Sequence, residues 1–156
     1  ARVPLENCDL IAAVPASRME PAYDLKPVTS YKAINARFTG PGIGKGIVDG
    51  KERVIFKKAS AQNKIEWDFN TGVADVYSLT ITYNNPHRES IPAKVELLSA
   101  DGTLMRTETV MLMPTRPGKS NYINSGTGTM INAGHYVVRL TSPMAVNVSV
   151  NALDVQ

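Results

Sequence analysis

Along residues 64–86 apolar and polar positions alternate in two runs separated by a turn. Ile65, Trp67 and Phe69 alternate with Glu66 and Asp68; after Asn70-Thr71-Gly72, Tyr77, Leu79, Ile81 and Tyr83 alternate with Ser78, Thr80 and Thr82. A period of two over this length predicts half-buried strands, and the Thr, Tyr and Ile content suits a pleated surface wet on one side. The short Gly-containing connection predicts that the two runs pair antiparallel, with one face against a core.

The remaining segments extend the same pattern. Residues 2–14 read as a strand stopped by Pro15, residues 16–30 as irregular chain with room for one helical turn at 17–19, and residues 31–38 as a short strand. Four glycines fall between Gly40 and Gly46, but Lys45 is followed by Gly46 rather than by the Ser or Thr that opens a phosphate-binding helix, so a tight turn is predicted. Residues 53–58 form a strand with Val54 and Phe56 on one side, and residues 84–90 a polar loop. Ala93, Val95 and Leu97 alternate with Lys94 and Glu96; the turn at 99–102 returns the chain as a partner strand over 103–113. Residues 114–128 read as a long polar loop. Met130 and Ile131, a turn at 132–134, and inward Tyr136, Val138 and Leu140 follow. In the last run Val146, Val148 and Val150 share one phase and Leu153 and Val155 the other; a one-residue slip of this kind is what a β-bulge produces. No helical period survives, and about eight short strands with Gly, Pro and Asn turns predict an all-β, antiparallel β-sandwich of jelly-roll type.

Composition narrows the classes. The 156 residues make one domain, 1–156, large enough for a full core, and a net charge of +3 lacks the clustered basic stripe of a nucleic-acid binder. No apolar run approaches the ~18 residues of a membrane helix. The chain begins at Ala1 without a signal-peptide pattern, so it is expected to be a piece of a longer polypeptide, or one whose export signal has been removed. Cys8, the single cysteine, excludes an internal disulfide and reads as a packing residue.

Candidate chemistry is sparse. His87 and His135 have no neighbours at ligand or triad spacing, and Glu66 and Asp68 share a strand face in the way solvated charges do, so no catalytic residue is assigned and the chain is not expected to be an enzyme. A sugar site needs flat rings for pyranose C–H faces and polar groups for hydroxyls. Trp67 is in phase with the core. Tyr122 stands in the polar loop with Arg116, Lys119, Asn121 and Asn124, either as a platform or as a ring that pins its own loop. Tyr31, Asn84 and Asn85 are secondary candidates. Arg116, Lys119, Arg88, Lys45 and Arg53 fall in or beside loops; they read either as scattered surface charge or, where several share one end of the sandwich, as partners for uronate carboxylates, which Arg holds bidentately, and hence for an acidic, pectin-like glycan.

The order of these motifs resembles the galactose-binding-like β-sandwich superfamily, and within it the carbohydrate-binding modules of families 6 and 35. The carrying stretches are Pro4-Leu5-Glu6-Asn7, residues 74–85, Ile131-Asn132-Ala133-Gly134 with His135 to Leu140, and Ser149-Val150-Asn151-Ala152-Leu153-Asp154-Val155. The resemblance implies a non-catalytic module binding a polysaccharide or oligosaccharide at its loop end, attached to a catalytic domain of the same polypeptide and secreted, periplasmic or at the cell surface of a bacterium. Its alternative is an accessory sandwich of a glycoside hydrolase that binds no sugar. It also implies a structural calcium held by carboxylates of the first and last strands. Here Pro4 and Asn151 stand in for two of those carboxylates, leaving Glu6 with Asn151, and calcium prefers six to eight oxygens, so the expected cofactor is none. The family's ligand-binding asparagine corresponds to Ser149, with Asn147 two residues earlier.

Overall fold

The structure is a computed structural model that describes residues 27–125 and 130–156, without the side chains of residues 124 and 125. Thirteen strands are present there: β1 (Thr29–Lys32), β2 (Arg37–Thr39), β3 (Ile43–Val48), β4 (Lys51–Phe56), β5 (Lys64–Thr71), β6 (Asp75–Val76), β7 (Leu79–Asn84), β8 (Ile91–Ser99), β9 (Leu104–Leu112), β10 (Asn121–Ser125), β11 (Met130–Ile131), β12 (Gly134–Thr141) and β13 (Val148–Val155). A 3-10 turn at Ala33–Asn35 is the only helical piece among the described residues, and no helix is long and apolar enough to cross a membrane. The strands form a front sheet, β9-β8-β12-β5-β2, and a back sheet, β10-β7-β13-β4-β3, with β1 also pairing β13 and a small β11-β6 ribbon. All pairings are antiparallel. The all-β sandwich expected from alternation is therefore present.

The core lies where the alternation places it. Ile65, Trp67 and Phe69 of β5 and Leu79, Ile81 and Tyr83 of β7 are all at most 3% exposed. Trp67 packs inward, and Phe69 stacks on Tyr136 with centroids 5.7 Å apart. The two runs are not partners, however. β5 pairs with β12 and β2, whereas β7 pairs with β13 and β10, so the connection between them carries the chain from one sheet to the other. Periodicity fixes which face of a strand is wet but not which neighbour it takes.

Three further expectations need correction. Residues 31–38 are not one strand: β1 ends at Lys32, the 3-10 turn intervenes, and β2 begins at Arg37; β1 also takes in Thr29 and Ser30, expected to be irregular. The glycine run is a turn only as far as Gly42; Gly44 and Gly46 lie inside β3. The turn itself needs its glycines, because a Cβ on Gly40 would stand 2.5 Å from the Asn63 side chain and one on Gly42 2.3 Å from the Lys58 carbonyl. The polar loop at 114–128 contains the edge strand β10, whose register sets Ile123 against Ile81. The expected bulge is present: β13 shifts register against β7 between Val150 and Ala152, with Asn151 the extra residue. Residues 2–14, Cys8 and the helical turn at 17–19 lie outside the described residues.

Candidate functional site

At one end of the sandwich, the β3–β4 hairpin, the end of β7, the start of β13 and the loop at 113–120 enclose a cleft of about 260 Å³ lined by Asp49, Asn84, Thr115, Arg116, Asn147 and Ser149. Each wall has a local cause. Asp49 and Gly50 make a two-residue hairpin with φ of 53° and 77°, the left-handed pair that suits the twist of the flanking strands. Asn147 is also left-handed, at φ 59°, and its amide donates to the Phe56 carbonyl at 2.6 Å. Both non-glycine residues with left-handed backbone among the described residues thus border this cleft.

The floor is polar and buried. Asn84 and Ser149 are opposite each other on the outer face of the back sheet, 8% and 2% exposed. Arg53 on β4, 6% exposed, extends across β13 and donates from Nη1 to Asn84 Oδ1. Asn84 Oδ1 also accepts from the Ser120 hydroxyl, and its amide donates to the Lys119 carbonyl. The covering loop is pinned by Asn85, fully buried, whose amide donates to the carbonyls of Leu112 (2.8 Å) and Glu89 (2.9 Å) while its Oδ1 accepts from the His87 amide. Tyr83 adds a bond from its hydroxyl to the Met113 carbonyl, and burial pushes its phenol pKa upward.

Arg53 has no carboxylate partner among the described residues, and its Nε is buried without an acceptor. A buried cation of this kind is costly unless an anion reaches it. At an effective dielectric of ~20 and 4 Å, such an anion gains about 4 kcal/mol.

Of the expected sugar-site residues, the fold brings Arg116, Asn84 and Asn147 into the cleft. Lys119 does not line the cleft; its backbone carbonyl accepts from the Asn84 amide. Tyr122, on β10 and 64% exposed, pairs with Thr82 of β7 on the outer face of the back sheet and does not line the cleft. Asn121 accepts from the Tyr122 amide with its own side chain, and Asn124 is placed only by its backbone, opposite Thr80. Tyr31 does not belong to the site: it pairs with Leu153 toward the opposite end of β13 and packs on the core. Arg53, expected in or beside a loop, is a buried strand residue. Asp49 was missed, and its Asp-Gly dipeptide is the turn signal that marks it. Glu66 is ion-paired with Arg139 and Asp68 with Arg37, and Asp68 also shares a hydrogen bond with the His135 ring.

For the calcium expectation, Glu6 lies outside the described residues. Asn151 donates weakly to the Ser120 hydroxyl, and its Oδ1 is buried without a partner. Among the described residues no three His, Cys, Asp or Glu side chains gather around a common point, so these residues alone do not fit a calcium cage.

No protein-family model matches the sequence, and no curated protein matches it either. Solved structures do match in three dimensions. A family 35 carbohydrate-binding module from Clostridium thermocellum superposes with a TM-score of 0.68 at 19% identity, over 83% of this chain and 98% of that one. The C-terminal family 6 module of the laminarinase LamC from Zobellia galactanivorans gives 0.62 at 13% identity, over 83% and 99%. A GH26-CBM35 β-(1,4)-mannanase from Podospora anserina gives 0.61 at 16% identity, over 83% of this chain but 27% of that one. The chain has the β-sandwich fold of the family 35 and family 6 carbohydrate-binding modules.

Proposed function

We propose that the chain is a non-catalytic carbohydrate-binding module whose loop-end cleft takes a uronate-bearing, pectin-like glycan, and that it holds an attached polysaccharide-degrading domain near that glycan outside the cytoplasm of a bacterium. The observation that carries the reading is Arg53: a guanidinium more than nine-tenths buried, without a carboxylate partner among the described residues, whose Nη1 donates to Asn84 in the cleft wall, which Arg116 also lines. A uronate carboxylate supplies the missing anion, while Asn147, Thr115 and Ser149 offer donors and acceptors to ring hydroxyls. The fold shared with carbohydrate-binding modules supports the class of ligand. Calorimetric titration against neutral and acidic oligosaccharides tests it. Oligogalacturonate is expected to bind, and Arg116→Gln to weaken that binding about tenfold. Failure to bind any glycan at millimolar concentration refutes the reading.

The second reading, an accessory sandwich without a ligand, is favoured by Asn84, whose amide and carbonyl are both engaged by internal partners. It expects no binding in the same titration.

A further inference from the structure

The front sheet ends on one side at β9, Leu104–Leu112, which pairs with β8 and has no second strand beside it among the described residues. At nine residues it is longer than the other end strands of the two sheets, β2 with three, β10 with five and β3 with six. An edge strand presents a row of backbone donors and acceptors, and sandwiches blunt such rows with short strands, lysine, proline or a twist. β9 contains neither lysine nor proline. Its irregularity is at Met105, the extra residue between the Leu104 and Arg106 pairings with β8. Leu104, Met105, Met111 and, just beyond the strand, Met113 are 46–57% exposed.

The charges on this strand select what can pair with it. From Arg106 on, even-numbered residues turn inward, where Val110 packs against the core and Leu112 is buried, while Thr107, Thr109 and Met111 face out. Arg106 and Glu108 therefore share the inner side of the edge, 4.0 Å apart at their nearest charged atoms and 39% and 34% exposed. A strand added antiparallel sets inward residues opposite inward residues, so it must answer both charges in order. We infer that β9 is the interface of a two-fold dimer of this chain, in which two copies join edge to edge about Thr107 and their front sheets become one continuous sheet. With the axis at Thr107, Arg106 stands opposite Glu108 of the second copy, and Glu108 opposite its Arg106. An axis at Arg106 or at Glu108 sets like charges opposite each other, and one at Thr109 sets the charges against Val110 and Leu112. Of these registers, that at Thr107 alone pairs each charge with its opposite. The ladder then spans residues 104–110 and brings Met105 opposite Thr109 and Leu104 opposite Val110. The inference does not rest on the glycan reading, because no residue of β9 lines the loop-end cleft.

The test is sedimentation velocity of the 156-residue chain from about 1 µM to about 1 mM, without any glycan. A reversible monomer–dimer equilibrium is expected, weakened at high salt. Arg106→Glu and Glu108→Arg are each expected to raise the dimer dissociation constant about tenfold or more, because each sets like charges opposite across the axis. An equimolar mixture of the two variants is expected to recover the dimer, since the mixed pair again matches every charge, and the Arg106→Glu/Glu108→Arg double reversal to recover it alone. Independently of these reversals, Thr107→Cys, with Cys8→Ser removing the native thiol, is expected to give a disulfide-linked dimer on oxidation, whereas Glu52→Cys on the back sheet is not. A chain that stays monomeric at millimolar concentration overturns the interface. A dimer indifferent to either reversal, or one cross-linked as readily from Glu52→Cys, overturns it as well. Folded single variants whose mixture stays monomeric overturn the Thr107 register.

Discussion

The two outer faces of the sandwich use charge in opposite ways. On the front sheet, Glu66, Arg139, Glu96, Arg37 and Asp68 neutralise one another in ladders at the surface. On the back sheet, Arg53, Asn84 and Ser149 occupy equally outward strand positions yet are at most 8% exposed. The loop at 113–120 makes the difference. It lies over β7 and β13 and replaces water with the Lys119 carbonyl and Ser120 hydroxyl, which serve Asn84 but leave the Arg53 charge uncompensated. An uncovered polar face needs only pairwise neutrality, whereas a covered one stores an unmet demand for an anion.

The contrast is broken most severely by removing what pins that loop. Asn85→Ala orphans the Leu112 and Glu89 carbonyls it serves and is expected to lower unfolding free energy by about 2–4 kcal/mol in denaturant melts. Arg53→Met keeps the apolar stem and removes the buried charge; it is expected to raise stability by about 1–2 kcal/mol while oligogalacturonate binding is lost, a stability gain opposed to function. A destabilised Arg53→Met would show the charge to be compensated within the fold. On the front sheet, Glu96→Gln breaks one partly exposed pair and is expected to cost under about 1 kcal/mol, less at high salt.

The smallest effect is expected at the exposed turn between β8 and β9. There the Ser99 hydroxyl, with the hydroxyl and amide of Thr103, lowers the Asp101 carboxyl from 3.8 to about 2. Because the folded value is the lower one, this contribution is full above the unfolded pKa and fades as pH falls through the folded value. Asp101→Asn is expected to flatten that acid limb in melts between pH ~4 and ~2, with no change near neutrality.

Much of this was legible in the chain, for identifiable reasons. Alternation named the inward residues of β5, β7, β8, β12 and β13, and the phase slip after Val150 located the bulge. What alternation lacks is partner information, so β5 and β7 read as a pair although they face each other across the core. Edge strands were also hidden: β3 carries glycines where side chains would give a pattern, and β10 carries one core residue, Ile123. In the site, Arg116, Asn84 and Asn147 were named because loops and turn residues advertise themselves. Arg53 was named as a basic residue, but its burial depends on a loop some sixty positions later, and Tyr31 was misplaced because nothing local reveals which end of β13 it joins.

The bulge in β13 has a consequence for how such a sandwich diversifies. Val150 and Leu153 both reach the interior although three positions separate them, so Asn151 is the extra residue that lets both phases point inward. Substitutions at Asn151 and at neighbouring Ala152 can therefore retune the outer face of the strand beyond Ser149 while the hydrophobic packing behind it stays the same. The outer face of this strand can change there by exchange of a few side chains, without having to refold the sandwich.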